Sequence, residues 1–66
     1  MTLHHYPETD TLYITLSSRP SSRSEPVSDD IVLDFYEAGD LVGIDIDHAG
    51  SHVDLTSLTV TSLPVT

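Results

Sequence analysis

Aspartates are the first chemistry this sequence offers. Asp34 and Asp45 interrupt two apolar runs, Ile31 to Tyr36 and Leu41 to Asp47, and Asp30 and Asp47 stand at the outer ends. In an extended chain, alternate residues point to opposite faces. Asp30, Asp34, Asp45 and Asp47 then share one face with Val32 and Tyr36, opposite Ile31, Leu33, Phe35, Ile44 and Ile46. Like charges this close destabilise unless something neutralises them. Three neutralisers fit: water, a basic protein partner, or a hard cation taking oxygen ligands. No calcium-loop spacing occurs. Paired carboxylates do acid–base work only where their surroundings drive the two pKa values apart. A flat, open sheet face does not do that. A solvated sheet face is the plain reading; the functional reading that follows it is protein contact, with Asp34, Tyr36, Asp45 and Asp47 as candidate partner-binding residues. No catalytic, cofactor-binding or metal-binding residue is expected.

The histidines are the second chemistry. His48 and His52 stand four apart, a spacing that aligns side chains on a helix, but Gly50 between them argues against one. His4 and His5 are neighbours on an extended run and point to opposite faces. A zinc site needs three or four converging ligands, and the sequence brings together two at most. Surface or edge histidines are the expected outcome. Serines and threonines are many, yet none stands in a recognisable nucleophile setting. With only Gly39, Gly43 and Gly50, no glycine-rich phosphate loop exists.

The elements that must position these residues read as β-hairpins. Ile31 to His48 carries two arms joined by Glu37-Ala38-Gly39-Asp40. Pairing Tyr36 with Leu41 sets Phe35 opposite Val42, Leu33 opposite Ile44 and Ile31 opposite Ile46. A slip of one residue would invert one arm, so the register is strongly specified. Gly39 suits the positive φ such loops need. Leu3–Tyr6 and Thr11–Ser17 form a first hairpin around the turn Pro7-Glu8-Thr9-Asp10. Its register sets Leu3 opposite Ile14, His5 opposite Leu12 and Met1 opposite Leu16. Ser17 to Glu25 has no apolar periodicity and reads as a mobile surface connection holding both arginines, Arg19 and Arg23. Val27 is placed at the start of the third strand, with Pro26 marking an edge or bulge. Asp54 looks like an N-cap on a single turn. Leu58 to Ser62 alternates like a fifth strand.

Composition excludes whole classes of function. The chain has 66 residues, so one domain is expected, with the sheet over about 2–48 and a turn and tail over 49–66. A domain this small buries only about 60% of its unfolded surface. It has no cysteine, hence no disulfide and no cysteine metal site. The formal net charge is −9, from eleven acids against two arginines. Binding nucleic acid through its phosphates needs a basic surface, which this chain cannot build. Anionic membrane is disfavoured for the same reason. No apolar run approaches the roughly 20 residues of a membrane span, and no secretory signal pattern opens the chain. A cytoplasmic location is the expectation. The acidity suits a basic partner or a salty cytoplasm.

PETDTLYITL followed by VLDFYEAGDLVGIDIDHA resembles a family of small bacterial and archaeal domains of unknown function, family 2283 (DUF2283). The resemblance covers roughly residues 3 to 50. It rests on Pro7, Glu8, Asp10, Leu12, Tyr13 and Ile14, and on Leu33, Asp34, Gly39, Gly43, Ile44 and Ile46. The sequence departs from the family pattern at His5, where a tyrosine is usual, at Tyr6, where an aspartate is usual, and at Tyr36, often acidic. The resemblance implies a small antiparallel sheet and carries no established catalytic residue. Such domains are often encoded beside a small ribonuclease-like toxin, which implies an antitoxin-like neutralising role.

The fold expected is thus mainly β, bordering on α+β. It is a single antiparallel sheet of two successive hairpins, a meander, with a short C-terminal helical turn and room for a fifth strand. Its inner face is apolar and only partly covered by Val53, Leu55, Leu58, Val60 and Leu63. A homodimer or larger assembly is expected to cover the rest. The expected function is a non-enzymatic interaction module, with a small basic protein as partner. The alternatives are a metal-dependent enzyme using Asp34, Asp45 and the histidines, or a purely structural oligomer.

Overall fold

The computed structural model describes residues 1–57 of the chain. Five strands form one antiparallel sheet: β1 (Thr2–Tyr6), β2 (Thr11–Thr15), β3 (Arg23–Pro26), β4 (Ile31–Phe35) and β5 (Leu41–Ile46). One helical turn, α1 (Ala49–His52), follows. The fold is mainly β, as the alternation of Leu12, Ile14, Ile31, Leu33, Ile44 and Ile46 requires.

Both hairpins form in the expected register along most of their length. Leu3 pairs with Ile14 and His5 with Leu12. Ile31 pairs with Ile46 and Leu33 with Ile44. The expectation fails near the tip of the second hairpin. Phe35 pairs with Leu41 rather than with Val42, because a bulge interrupts the ladder after Asp34. The loop closes one residue earlier than expected, through Tyr36 N–H to the Asp40 carbonyl at 2.8 Å. Gly39 takes φ 99° there. Val42 is the extra residue. Its carbonyl turns outward and accepts N–H groups from Leu16 and Ser17 at the end of β2. A bulge adds one residue to one strand and bends it, which frees such a group for a neighbour.

The hairpins meet in a different order from a simple meander. Strand order is β1-β2-β5-β4-β3. The second arm of the second hairpin, not its first, lies against β2. Ile14 faces Ile44 and Leu12 faces Ile46 across that join. Apolar rows then run unbroken across the middle of the sheet.

Two further expectations change. The Ser/Arg/Pro segment read as a mobile connection supplies a strand, since Arg23–Pro26 pairs with β4. Val27 lies beyond that strand and is exposed. Pro26 sits at the sheet edge, where its missing N–H costs nothing. The fifth strand expected at 58–62 lies outside the described residues, as do Leu58, Val60 and Leu63. Asp54 does cap a turn: its carboxylate accepts Thr56 N–H at 3.0 Å and the Thr56 and Ser57 hydroxyls at 2.7 and 2.6 Å.

The core is thin. Leu12, Ile46 and Ala49 are buried together, with Leu3, Ile14, Ile31, Ile44 and Val53 packed around them. Val42 is buried apart from that cluster. Among the described residues no large side chain is fully buried.

Candidate functional site

The outer sheet face brings Asp34 and Asp45 together as expected, and the two have opposite fates. Tyr13 stands opposite Asp45, and Asp34 stands opposite Gly43. The Tyr13 side chain crosses over Gly43 and donates its hydroxyl to Asp34 Oδ2 at 2.8 Å. A Cβ on Gly43 would collide with that hydroxyl, so the glycine serves close approach rather than backbone conformation. Ser24 on β3 donates to Asp34 Oδ1 at 2.5 Å. Asp34, on β4, is therefore tied to two other strands by two donors. The hydrogen bond to Asp34, then burial and the nearby carboxylate charges, push the Tyr13 phenol above its ordinary value.

Asp45 has no such support. Its Oδ1 is buried and meets no donor among the described residues. Burial first, then the charges of Asp47 and Asp34, raise its carboxyl above the ordinary value. Asp47, one turn of the pleat away, is exposed and accepts from the Thr11 hydroxyl at 3.0 Å. Tyr36 is apart from these three, at the hairpin tip. The Arg19 guanidinium lies 5.1 Å from its ring centre and donates to Asp40 at 2.8 Å. Of the four candidate partner-binding residues, then, Asp34, Asp45 and Asp47 share a field, and Tyr36 does not join them. Asp34 is occupied, and Asp45 is the carboxylate left to be answered.

Asp30 leaves the outer face. It accepts His48 Nδ1–H at 3.0 Å and His52 Nε2–H at 2.9 Å, one on each oxygen. The expectation that Gly50 forbids a helix here is overturned. A single turn forms over Ala49–His52 with His48 as its left-handed N-cap, and both histidines reach Asp30. Tertiary contacts outweigh the glycine, whose cost in one turn is about 1 kcal/mol. Ala49 is fully buried. Its N–H donates to the Asp10 carbonyl at 2.8 Å, and Gly50 N–H to Asp10 Oδ2 at 3.1 Å. His5 Nε2–H donates to the other Asp10 oxygen at 2.9 Å. Asp10 and His48 both adopt φ 52°, in the left-handed region. Aspartate tolerates that region better than most residues.

These contacts shift titrations at the sheet end. His5, then the Gly50 N–H, hold the Asp10 carboxyl below its ordinary value. His52, then His48, do the same to Asp30. Asp30 in turn raises His48. Sequence reasoning missed this assembly because its partners come from four separate segments. The i, i+4 histidine spacing was the one available signal. Among the described residues no group of three or more histidine, aspartate or glutamate side chains is arranged to hold a metal ion, and no helix is long and apolar enough to cross a membrane.

The inner face carries a hollow of about 320 Å³ between Leu3, Leu12 and Ile14 on the sheet and Val53 and Leu55 after α1. A family model described as "Protein of unknown function (DUF2283)" matches residues 3–49, more than half of the chain. No curated protein and no solved structure matches it.

Proposed function

The chain belongs to the DUF2283 family of proteins of unknown function, and we propose that it is a cytoplasmic, non-enzymatic protein-interaction domain that answers a small basic partner, as an antitoxin would. The observation that carries this reading is Asp45. Its carboxylate lies in the field of Asp34 and Asp47, with one oxygen buried and, among the described residues, without a donor. A positively charged side chain seated against this half-buried carboxylate would relieve the repulsion from Asp34 and Asp47. The net charge of −9 would draw such a partner in from a distance. Self-association as a homodimer or larger belongs to the same reading, because the core is too thin to leave the inner face unaided.

The test is affinity capture of the tagged full chain from its host. The expected result is one small basic protein in stoichiometric amount, lost on Asp45→Arg and on Asp47→Arg while the circular dichroism stays unchanged. Recovery of copies of the chain alone, or a basic protein held equally by both variants, would overturn the reading.

A further inference from the structure

The two edges of the sheet are built differently. β3 is four residues long, ends on Pro26, and carries Arg23 beside Glu25 at 3.5 Å. Short length, proline and charge are the devices that blunt an edge. β1 has none of them. Thr2–Tyr6 contains no Asp, Glu, Lys, Arg or Pro, and four of its five residues are exposed. Uncharged edges are unexpected in a chain of net charge −9.

Among the described residues its backbone is also unpaired on the outer side. Leu16 N–H donates to the Val42 carbonyl at 2.8 Å, so the even-numbered residues of β2 turn their polar groups toward β5. Thr11, Tyr13 and Thr15 then bond toward β1, because these directions alternate along a strand. Their partners are Tyr6, His4 and Thr2. Leu3 and His5 therefore direct N–H and C=O away from the sheet, and among the described residues nothing takes them up.

We propose that the β1 edge is the docking strand for β1 of a second copy of this chain, running antiparallel about a two-fold axis at His4. This rests on the reading that the chain self-associates, and names the contact. Leu3 pairs with His5 of the second copy, and each pair exchanges both backbone hydrogen bonds. The two five-stranded sheets become one of ten strands. A second copy fits better than another partner for three reasons. The pattern of free groups is its own complement under the two-fold axis. Two strongly acidic chains meet along a strand that itself carries no carboxylate, and the neighbouring Asp10 is already paired with His5. The apolar hollow bordered by Leu3 is brought beside its counterpart on the same face.

The experiment measures the solution mass of the full chain across a concentration series, with amide exchange read residue by residue. The expected particle is near twice the 7.2 kDa chain mass. Leu3 and His5 amides slow as concentration rises, while Tyr13 is unchanged. His4→Asp opposes two carboxylates at the axis and raises the dissociation constant about tenfold or more, whereas His4→Thr leaves it as it was. A dimer in which Leu3 and His5 exchange freely would overturn the edge contact and keep self-association. A monomer at every concentration would overturn both. Protection of Leu3 and His5 that does not depend on concentration would mean that the chain covers its own edge, and would also overturn the proposal.

Discussion

Tyr13, Gly43 and Asp34 act as one unit spread over three strands, and each is explained by the other two. The hydroxyl needs the glycine beneath it to reach the carboxylate. Gly43→Ala forces a methyl into the Tyr13 hydroxyl and is expected to destabilise by about 1–3 kcal/mol, as overpacking does. Tyr13→Phe removes a donor to a charged acceptor and is expected to cost about 1–2 kcal/mol. The double variant should cost less than the sum, since the two changes share one contact. Urea unfolding of the four proteins checks all three statements. Asp45 makes the opposite prediction. Asp45→Asn keeps the shape and removes a charge repelled by Asp34 and Asp47. It should raise the urea midpoint at neutral pH by the equivalent of roughly a few tenths of a kcal/mol and weaken capture of the basic partner proposed above. Gain of stability with loss of binding is the mark of a residue kept for function. A clear loss of stability would make Asp45 structural. At this scale the sequence was half legible. The face shared by Asp34 and Asp45 follows from alternation. That Tyr13 and Ser24 occupy one acid and leave the other depends on which strands become neighbours.

At the scale of elements, α1 is tied down by hydrogen bonds to Asp10 and Asp30 as well as by the buried Ala49. The pH dependence follows from the directions of the shifts. Asp10 and Asp30 lie below the ordinary carboxyl value of 3.8. Their contribution is present above that value and is lost as pH falls through the depressed ones. His48 lies above the ordinary 6.5. Its contribution is complete below 6.5 and is lost as pH rises through the raised value. Asp45, raised above 3.8, also costs stability once it ionises. The domain should be most stable between about pH 4 and 6.5. Urea midpoints across pH check this, and His48→Gln should flatten the alkaline side. A midpoint that climbs steadily above pH 6.5 would show that Asp30 does not hold α1 through His48.

Across the whole molecule, eleven acids face two arginines. Both arginines are already engaged, Arg19 with Asp40 and Arg23 with Glu25. The remaining negative charge repels itself through a sheet with a thin core. Added sodium chloride should therefore raise the urea midpoint, most steeply below about 0.1 M, where the screening length shrinks from about 30 Å to about 10 Å. A midpoint insensitive to salt would mean that the carboxylates are neutralised one by one within the fold. The same repulsion would bear on the self-association proposed above, since β1 itself carries no charged residue.

What lay in the sequence was most of the pairing between residues close along the chain. Leu3 opposite Ile14, and Ile31 opposite Ile46, follow from alternation and from loops of known length. A hairpin needs only its two arms to agree, so local pattern suffices. The tertiary structure decided what local pattern leaves degenerate. Both arms of the second hairpin present an apolar face, so nothing local says which one lies against β2. The edge strand Arg23–Pro26 was invisible because all four residues are exposed. It is held largely by backbone groups that every residue type but proline offers in full, with Ser24 on Asp34 as a side-chain contact, and backbone pairing leaves no trace in side-chain pattern. The bulge at Val42 and the turn over Ala49–His52 belong with it. Each exists because a group far along the chain, the Leu16 N–H in one case and the Asp10 and Asp30 carboxylates in the other, needed a partner there.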